Sequence, residues 1–371
     1  MNLSRPDSLK PPFVALSALV VLSISLVTFP LPAQSTPDPQ GTAECFSPAS
    51  PDIAKVGFPA KKGPYKIAFS NSYFGNNWRD EMLKIADGYV KESDVKQYIK
   101  DFKVYNSGQD VAQQIAQIRQ AILSGVDAII VNAAQPSGLD PILEEVAKRG
   151  IVIVAFDNTV TSKRAVNINN DQFQMGKRWA EFLVEQTKGK GTVLMVRGLA
   201  GTPVDNQQAS GAKSVFEKYP GLKIVEVYGN WDVGATQKAV ANALASTPQI
   251  DGVWGTAACT GTIQAFLQSS RPLVPMTGEC DNGFMRLVAE KKVPALVIGQ
   301  PPAMVAVAIR ATIALLQGEQ LPKEISLPLE EITTEKMVAG QNFFPQLPDG
   351  FVTDISIASC GINTSPSVFA K

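Results

Sequence analysis

SGVDAIIVNAAQPSGLDPILEEVAKRGIVIVAFDN, residues 124–158, decides the fold. It holds two short apolar runs, AIIVN (128–132) and IVIVAFD (151–157), on either side of a helical stretch opened by Pro and Gly. Each run is too short for a stable helix, and each is apolar at consecutive positions rather than at alternate ones. Such strands are buried on both faces, and strands separated by helices pair in parallel under helical layers.

The same rhythm extends outward. Upstream lie KIAFS (66–70) and FKVYN (102–106), and then DVAQQIAQIRQAI, where Val111, Ile115, Ile118 and Ile122 fall on one helical face. After Gly191 it restarts with TVLMV (192–196), KIVEVY (223–228), GVWGT (252–256), LVPMT (273–277) and ALVIG (295–299). A faint internal echo relates GVDAIIVNAAQPSG…AFDN to QIDGVWGTAACTG…GECDN. The fold class predicted is α/β, with two similar open parallel-sheet lobes.

The polar residues gather where such sheets bind ligands, outside the carboxyl ends of the strands. Those ends read Ser70–Asn71, Asn132, Asp157–Asn158, Trp231–Asp232, Thr256, Glu279 to Asn282, and Gln300. NSYFGNNWRDEM (71–82) adds amides, an indole and an arginine at one strand-to-helix junction. Carboxylates accept hydroxyl donors, amides both donate and accept, and a ring covers the C–H face of a sugar. Asn71, Asn76 and Asn77 also suit turns and a helix N-cap, and Asp171 and Asp232 suit caps of the helices that follow them. Trp179 and Trp254 read as core; Trp78 and Trp231, at strand-to-helix junctions, read as ligand-facing.

Composition excludes several classes. The 371 residues carry 34 Lys plus Arg against 34 Asp plus Glu, with no basic stripe, so nucleic acid is not the expected partner. There is no His, which removes imidazole catalysis and His-ligated metal. GLAGTP (198–203) matches no phosphate-loop pattern, and Cys259 has no His to activate it. No cofactor is expected. Asp157, Glu279 and Asp281 leave one enzymatic alternative, a secreted hydrolase acting on a glycoside.

The N-terminus reads as an export signal over 1–35: Arg5 and Lys10, then the apolar run FVALSALVVLSISLVTF (13–29), then small residues suited to cleavage after Ser35. An uncleaved membrane anchor is the rival. Residues 36–64, rich in proline, read as an extended or loosely packed arm, with ordered structure expected from Tyr65. The four cysteines fit an oxidising compartment and lack CxxC spacing. Cys259 and Cys280 follow consecutive strands at corresponding heights and are expected to pair. Cys45 and Cys360, near the two ends of the folded region, are the other expected bridge.

From about Tyr65 to Val338 the chain resembles the exported sugar-binding proteins of bacterial ABC importers, the ribose-binding-protein-like group. KIAFSNSYFGNNWRDEMLKIADG looks like that family's first strand, polar–aromatic loop and first helix, and residues 124–158 look like its third and fourth βα units. The resemblance implies sugar contacts from Asn132, Asp157 and Asn158, a ring at Trp231, and Gln300 at a crossing between lobes. The sequence departs from the family where Arg is common: Asn158 holds one such position, and the other falls near Gln208, beside Asp205 and Asn206. Glu279 and Asp281 both remain candidates for the family's second-lobe carboxylate. Asn71, Asn77, Trp78 and Arg79 would form the first lobe's wall.

The implied organisation is lobe 1 at 65–170 plus 300–332, lobe 2 at 171–299 plus 333–360, and a tail at 361–371, with crossings near Asn170, Gly299 and Thr333. The implied function is periplasmic capture of a sugar or polyol by a monomer that closes on its ligand and docks on a membrane permease. A related fold forms the effector domain of DNA-binding repressors, but here an export signal stands where a helix-turn-helix would be.

Overall fold

A computed structural model describes residues 45–279 and 281–369, and two six-stranded sheets organise them. The first is built from β2 (Tyr65–Asn71), β3 (Ile99–Asn106), β4 (Ala128–Asn132), β5 (Val152–Phe156), β6 (Val166–Asn170) and β13 (Glu324–Leu327), in the order β13-β6-β5-β4-β2-β3. The second uses β7 (Gly191–Arg197), β8 (Leu222–Tyr228), β9 (Gly252–Gly255), β10 (Met276–Gly278), β11 (Ala295–Ile298) and β14 (Glu331–Thr333), in the order β14-β11-β10-β9-β7-β8. The two orders are equivalent strand for strand. The first sheet is parallel throughout, whereas β14 joins the second antiparallel to β11.

The apolar runs of the inner strands are buried because helices cover both faces of each sheet, while the edge strands β3 and β8 stay largely exposed or half-buried. On one face of the first, Phe69, Ile130, Val154 and Ile168 pack with the helices Asn77–Tyr89 (α1) and Met304–Leu316 (α10). On the other, Ile129, Val131 and Ile153 meet Val111–Leu123 (α3) and Asp140–Lys148 (α4). Helix α10 is apolar around nearly its whole circumference and buries every residue but Arg310, as a core helix must. In the second sheet, Val193, Met195 and Trp254 face Gln172–Thr187 (α5) and Pro203–Phe216 (α6). Trp179 and Trp254 are both fully buried there and meet edge to face, 5.7 Å between centroids.

Helices α5 and α6 approach closely because Gly176 and Gly211 have no side chains. A Cβ on Gly176 would strike the carbonyl of Gln208, and one on Gly211 that of Phe173. This contact sets the height of Gln208 at the end of the second sheet.

Four expectations change. Strand β6, VNINN, is half polar and carries no apolar run, so its pattern gave no signal; its amides bond to neighbouring loops instead of facing water. The proline-rich arm is docked from Cys45 on, not loose: Cys45 and Phe46 are buried, and β1 (Lys55–Gly57) pairs antiparallel with β12 (Gln320–Pro322). The third crossing falls at 328–330, since β13 ends in one sheet and β14 begins in the other. The chain beyond Phe344, assigned by sequence to lobe 2 and a tail, returns to the first lobe. Phe351, Ile355, Ile357, Ile362 and Phe369 enter its core, because their apolar side chains complete the surface left by α1 and α10.

Cys45 and Cys360 form a disulfide with Cα atoms 5.0 Å apart. Cys280 lies outside the described residues, as do the export signal at 1–35 and the first part of the arm. Among the described residues no helix is long and apolar enough to cross a membrane.

Candidate ligand-binding site

A cavity of about 730 Å³ opens between the carboxyl ends of the two sheets. One wall comes from the first sheet's β2–α1 loop and the β5 end: Ser72, Tyr73, Asn77, Trp78, Arg79, Asp157 and Asn158. The other comes from the second lobe: Trp231, Asp232, Ala257, Ala258, Glu279 and Asp281. Gln300 sits where the chain crosses back, and Gly350, Val352 and Asp354 close the remaining side.

Asp157 is the centre of the first wall. Its backbone is left-handed, φ 57°, a conformation that Asp tolerates and most residues avoid. That turn aims the carboxylate back over the sheet end, where Arg79 Nη2 lies 2.6 Å from Oδ2, Asn132 Nδ2 donates at 2.8 Å and Gln300 Nε2 donates to Oδ1 at 2.5 Å. Arg79 is itself buried, with Nη1 left without a partner among the described residues, and its guanidinium stacks 4.7 Å from the Trp78 ring. The Trp78 indole N–H donates to the Gln300 carbonyl at 2.7 Å, which fixes the ring's plane. Asn76 caps α1 by accepting from the Arg79 N–H, so helix start and guanidinium are set together.

On the facing wall Trp231 also has a left-handed backbone, φ 59°, rare for a bulky residue. Gly198 makes the room, since a Cβ there would overlap the indole, and Trp231 Nε1 donates to Thr256 Oγ1 at 3.1 Å. Asp281 caps the helix Asn282–Lys291 (α9) and accepts from the N–H and hydroxyl of Thr260. Burial pushes its carboxyl up to about 6. Glu279 is pushed up to about 8, chiefly by burial, with Asp157 and Asp354 adding to the rise and the Gln208 hydrogen bond opposing it.

The two walls are joined by a relay of three glutamines. Gln300 donates to Asp157; Gln172 Nε2 donates to Gln300 Oε1 at 2.9 Å; Gln208 Nε2 donates to Gln172 Oε1 at 2.8 Å and to Glu279 Oε1 at 2.6 Å. It thus runs unbroken from an acid of the first lobe to an acid of the second.

Of the residues singled out by sequence, Asn77, Trp78, Arg79, Asp157, Asn158, Trp231, Glu279, Asp281 and Gln300 line the cavity. The other four stand behind it. Asn132 holds Asp157 and accepts from the Ser72 hydroxyl. Asn71 donates to Asn106 and to the Tyr73 carbonyl. Asp205 is fully buried against Arg197, 2.6 Å away, and accepts from the Gly198 N–H. Gln208 takes its place in the relay. Sequence reasoning missed Gln172 and Asp354. Gln172 directly follows the helix cap Asp171 at the first crossing, which is a usable signal; Asp354 lies beyond the α/β rhythm, where none exists.

The family model for the periplasmic binding protein domain matches residues 67–320. The chain belongs to that family. Among the relatives of this periplasmic binding protein is a xylitol-binding protein of Mycolicibacterium smegmatis, 29% identical over 198 residues. That match covers 52% of this chain and spans about half, 55%, of the relative. The ribose import binding protein RbsB of Bacillus subtilis is 23% identical over 291 residues, covering 77% of this chain and 92% of its own. A crystal structure of an ABC transporter solute binding protein from Thermobispora bispora superposes with a TM-score of 0.66 at 29% identity, over 72% of this chain and 84% of that one. Among the described residues no group of three or more acidic or cysteine side chains is arranged to hold a metal ion.

Proposed function

We propose that this chain is an extracytoplasmic solute-binding protein. It captures a small polyhydroxylated ligand, a monosaccharide, polyol or related compound, and presents it to the membrane permease of an ABC importer. The observation that carries the reading is the cavity itself, with an indole from each lobe and a carboxylate, Asp157, held between a guanidinium and two amides. Rings for C–H faces and fixed polar groups for hydroxyls are what a sugar or polyol needs. The ligands for which the two relatives are named, xylitol and ribose, support the same class.

The action is capture rather than chemistry. The lobes close on the ligand by a hinge at the three crossings, and the closed form is what docks on the permease. The protein works as a monomer in the periplasm after loss of residues 1–35.

A thermal-shift screen over sugars, polyols, amino acids and nucleosides tests it. A true ligand at about a hundred times its dissociation constant adds roughly 2.7 kcal/mol of stability. Stabilisation by a polyhydroxylated compound that is recovered unchanged after long incubation is the expected result. Release of product from a glycoside would replace this reading with the hydrolase.

A further inference from the structure

We infer that the ligand of this cleft carries a positively charged amine beside its hydroxyls, as an aminodeoxy sugar, aminopolyol or aminocyclitol does. The inference rests on the capture of a polyhydroxylated compound proposed above and narrows it.

Charge balance leads to it. The charged residues lining the cavity are Arg79 on one side of the count and Asp157, Asp232, Glu279, Asp281 and Asp354 on the other. Three of the five acids have answers within the protein. Asp157 is paired with Arg79, Asp232 caps its helix through the Ala235 N–H, and Asp281 caps α9 and binds Thr260. Among the described residues Glu279 and Asp354 have neither a cation nor a helix N-terminus to cap. Glu279 receives an amide bond from Gln208 and no cation, while Asp157 and Asp354 repel its charge. Asp354 has the further acid Glu330 nearby, and burial with that neighbour pushes it up to about 7.

Without a counter-charge these two acids tend to hold their protons, and ionising them costs more as water leaves a closing cleft. A metal does not fit the donor arrangement among the described residues. An ammonium on the ligand does: it donates charge-assisted hydrogen bonds to both acids and removes their mutual repulsion. On the same wall as Asp157, Arg79 Nη1 is buried without an acceptor among the described residues, and a ligand hydroxyl oxygen would supply one. The site therefore offers one donor that seeks an acceptor and two acids that seek a cation, and an amine bearing hydroxyls answers both.

The test uses matched pairs on the full chain by titration calorimetry: 1-amino-1-deoxyxylitol against xylitol, an aminodeoxyinositol against myo-inositol, and glucosamine against glucose. In at least one pair the amine should bind tighter by about tenfold or more at about neutral pH. Its binding should release protons, measured across buffers of different ionisation enthalpy, because the ammonium expels the proton that Glu279 otherwise holds. Glu279→Gln and, independently, Asp354→Asn should each bring the amine-to-parent ratio toward one, with folding checked by circular dichroism. Parents that bind as tightly as their amines, or amines that bind without proton release, overturn this inference and leave the polyol reading intact. Failure of both members of all pairs removes the polyol reading itself.

Discussion

Arg79 Nη2 and Asp157 Oδ2 stand 2.6 Å apart, with only 7% and 10% of their side-chain surfaces exposed. The pair ties the first turn of α1 to the end of β5, the two elements that carry the first wall of the cleft. Removing either partner strands a buried charge, which costs about 3–5 kcal/mol, whereas removing both costs less than the sum. We expect Arg79→Met and Asp157→Asn each to destabilise strongly and the double variant to recover about 2 kcal/mol of coupling. Asparagine is the choice at position 157 because it tolerates the left-handed backbone there. Denaturant melts of the four proteins give the cycle. Additive single effects would mean that the pair is not a coupled unit.

Asp157 was legible in the sequence because it ends an apolar strand, and Trp231 because it sits at a strand-to-helix junction. Position alone could not say which polar side chains would face the cavity. Asn132 and Asp157 end adjacent strands, yet the sheet turns Asn132 inward to hold its neighbour. Asp205 looked available until Arg197 claimed it. The least legible part was the C-terminal segment, whose apolar residues follow no helical or strand period and are recognised only by the core they complete. The fold, by contrast, was legible from the uninterrupted apolar runs of the inner strands, β6 excepted.

That segment makes the disulfide testable. Cys45 and Cys360 are 315 residues apart in sequence, and their bridge holds the docked arm against the returning C-terminus. Replacing both by serine should cost about 2–5 kcal/mol. Hydrogen exchange should rise over the C-terminal segment, and ligand affinity should fall because Gly350 and Asp354 belong to it and line the cleft. An unfolding midpoint indifferent to reductant would contradict this.

Glu81 supplies a pH prediction. Its Oε1 accepts from the Val352 N–H at 3.0 Å, while Oε2 is buried without a partner among the described residues. Burial pushes the carboxyl from its ordinary 4.5 up to about 8, against the pull of the Val352 hydrogen bond. The folded state therefore binds the proton more tightly than the unfolded chain does. The stability it contributes is full below pH 4.5 and is lost as pH rises through about 8. Glu279 and Asp354, raised to about 8 and 7, act in the same direction. Glu81→Gln should remove part of the alkaline loss, on the order of 2–4 kcal/mol between about pH 5 and about pH 8.5. Parallel pH profiles for variant and parent would show that Glu81 is ionised in the fold.

The glutamine relay gives the most direct test of the cleft's mechanics. Gln172 is its middle link, 2% exposed, and it contacts Gln300 on one side and Gln208 on the other. Gln172→Leu keeps roughly the same volume and removes both links. It leaves Gln300 Oε1 and one Gln208 proton unsatisfied, at a cost of about 1–3 kcal/mol. Because the relay joins acids on facing walls, its loss should also favour separation of the lobes. Small-angle scattering of the ligand-free variant should then give a larger radius of gyration than that of the parent, and saturating ligand should bring the two together. Trp78 and Trp231, one on each wall, should report the same closure as a saturable change in fluorescence. Affinity should drop by the fraction of molecules held open, with the closed form's contacts unchanged. If Gln172→Leu loses stability but keeps the parent's scattering curve and affinity, the relay is a packing feature of the hinge and has no part in closure.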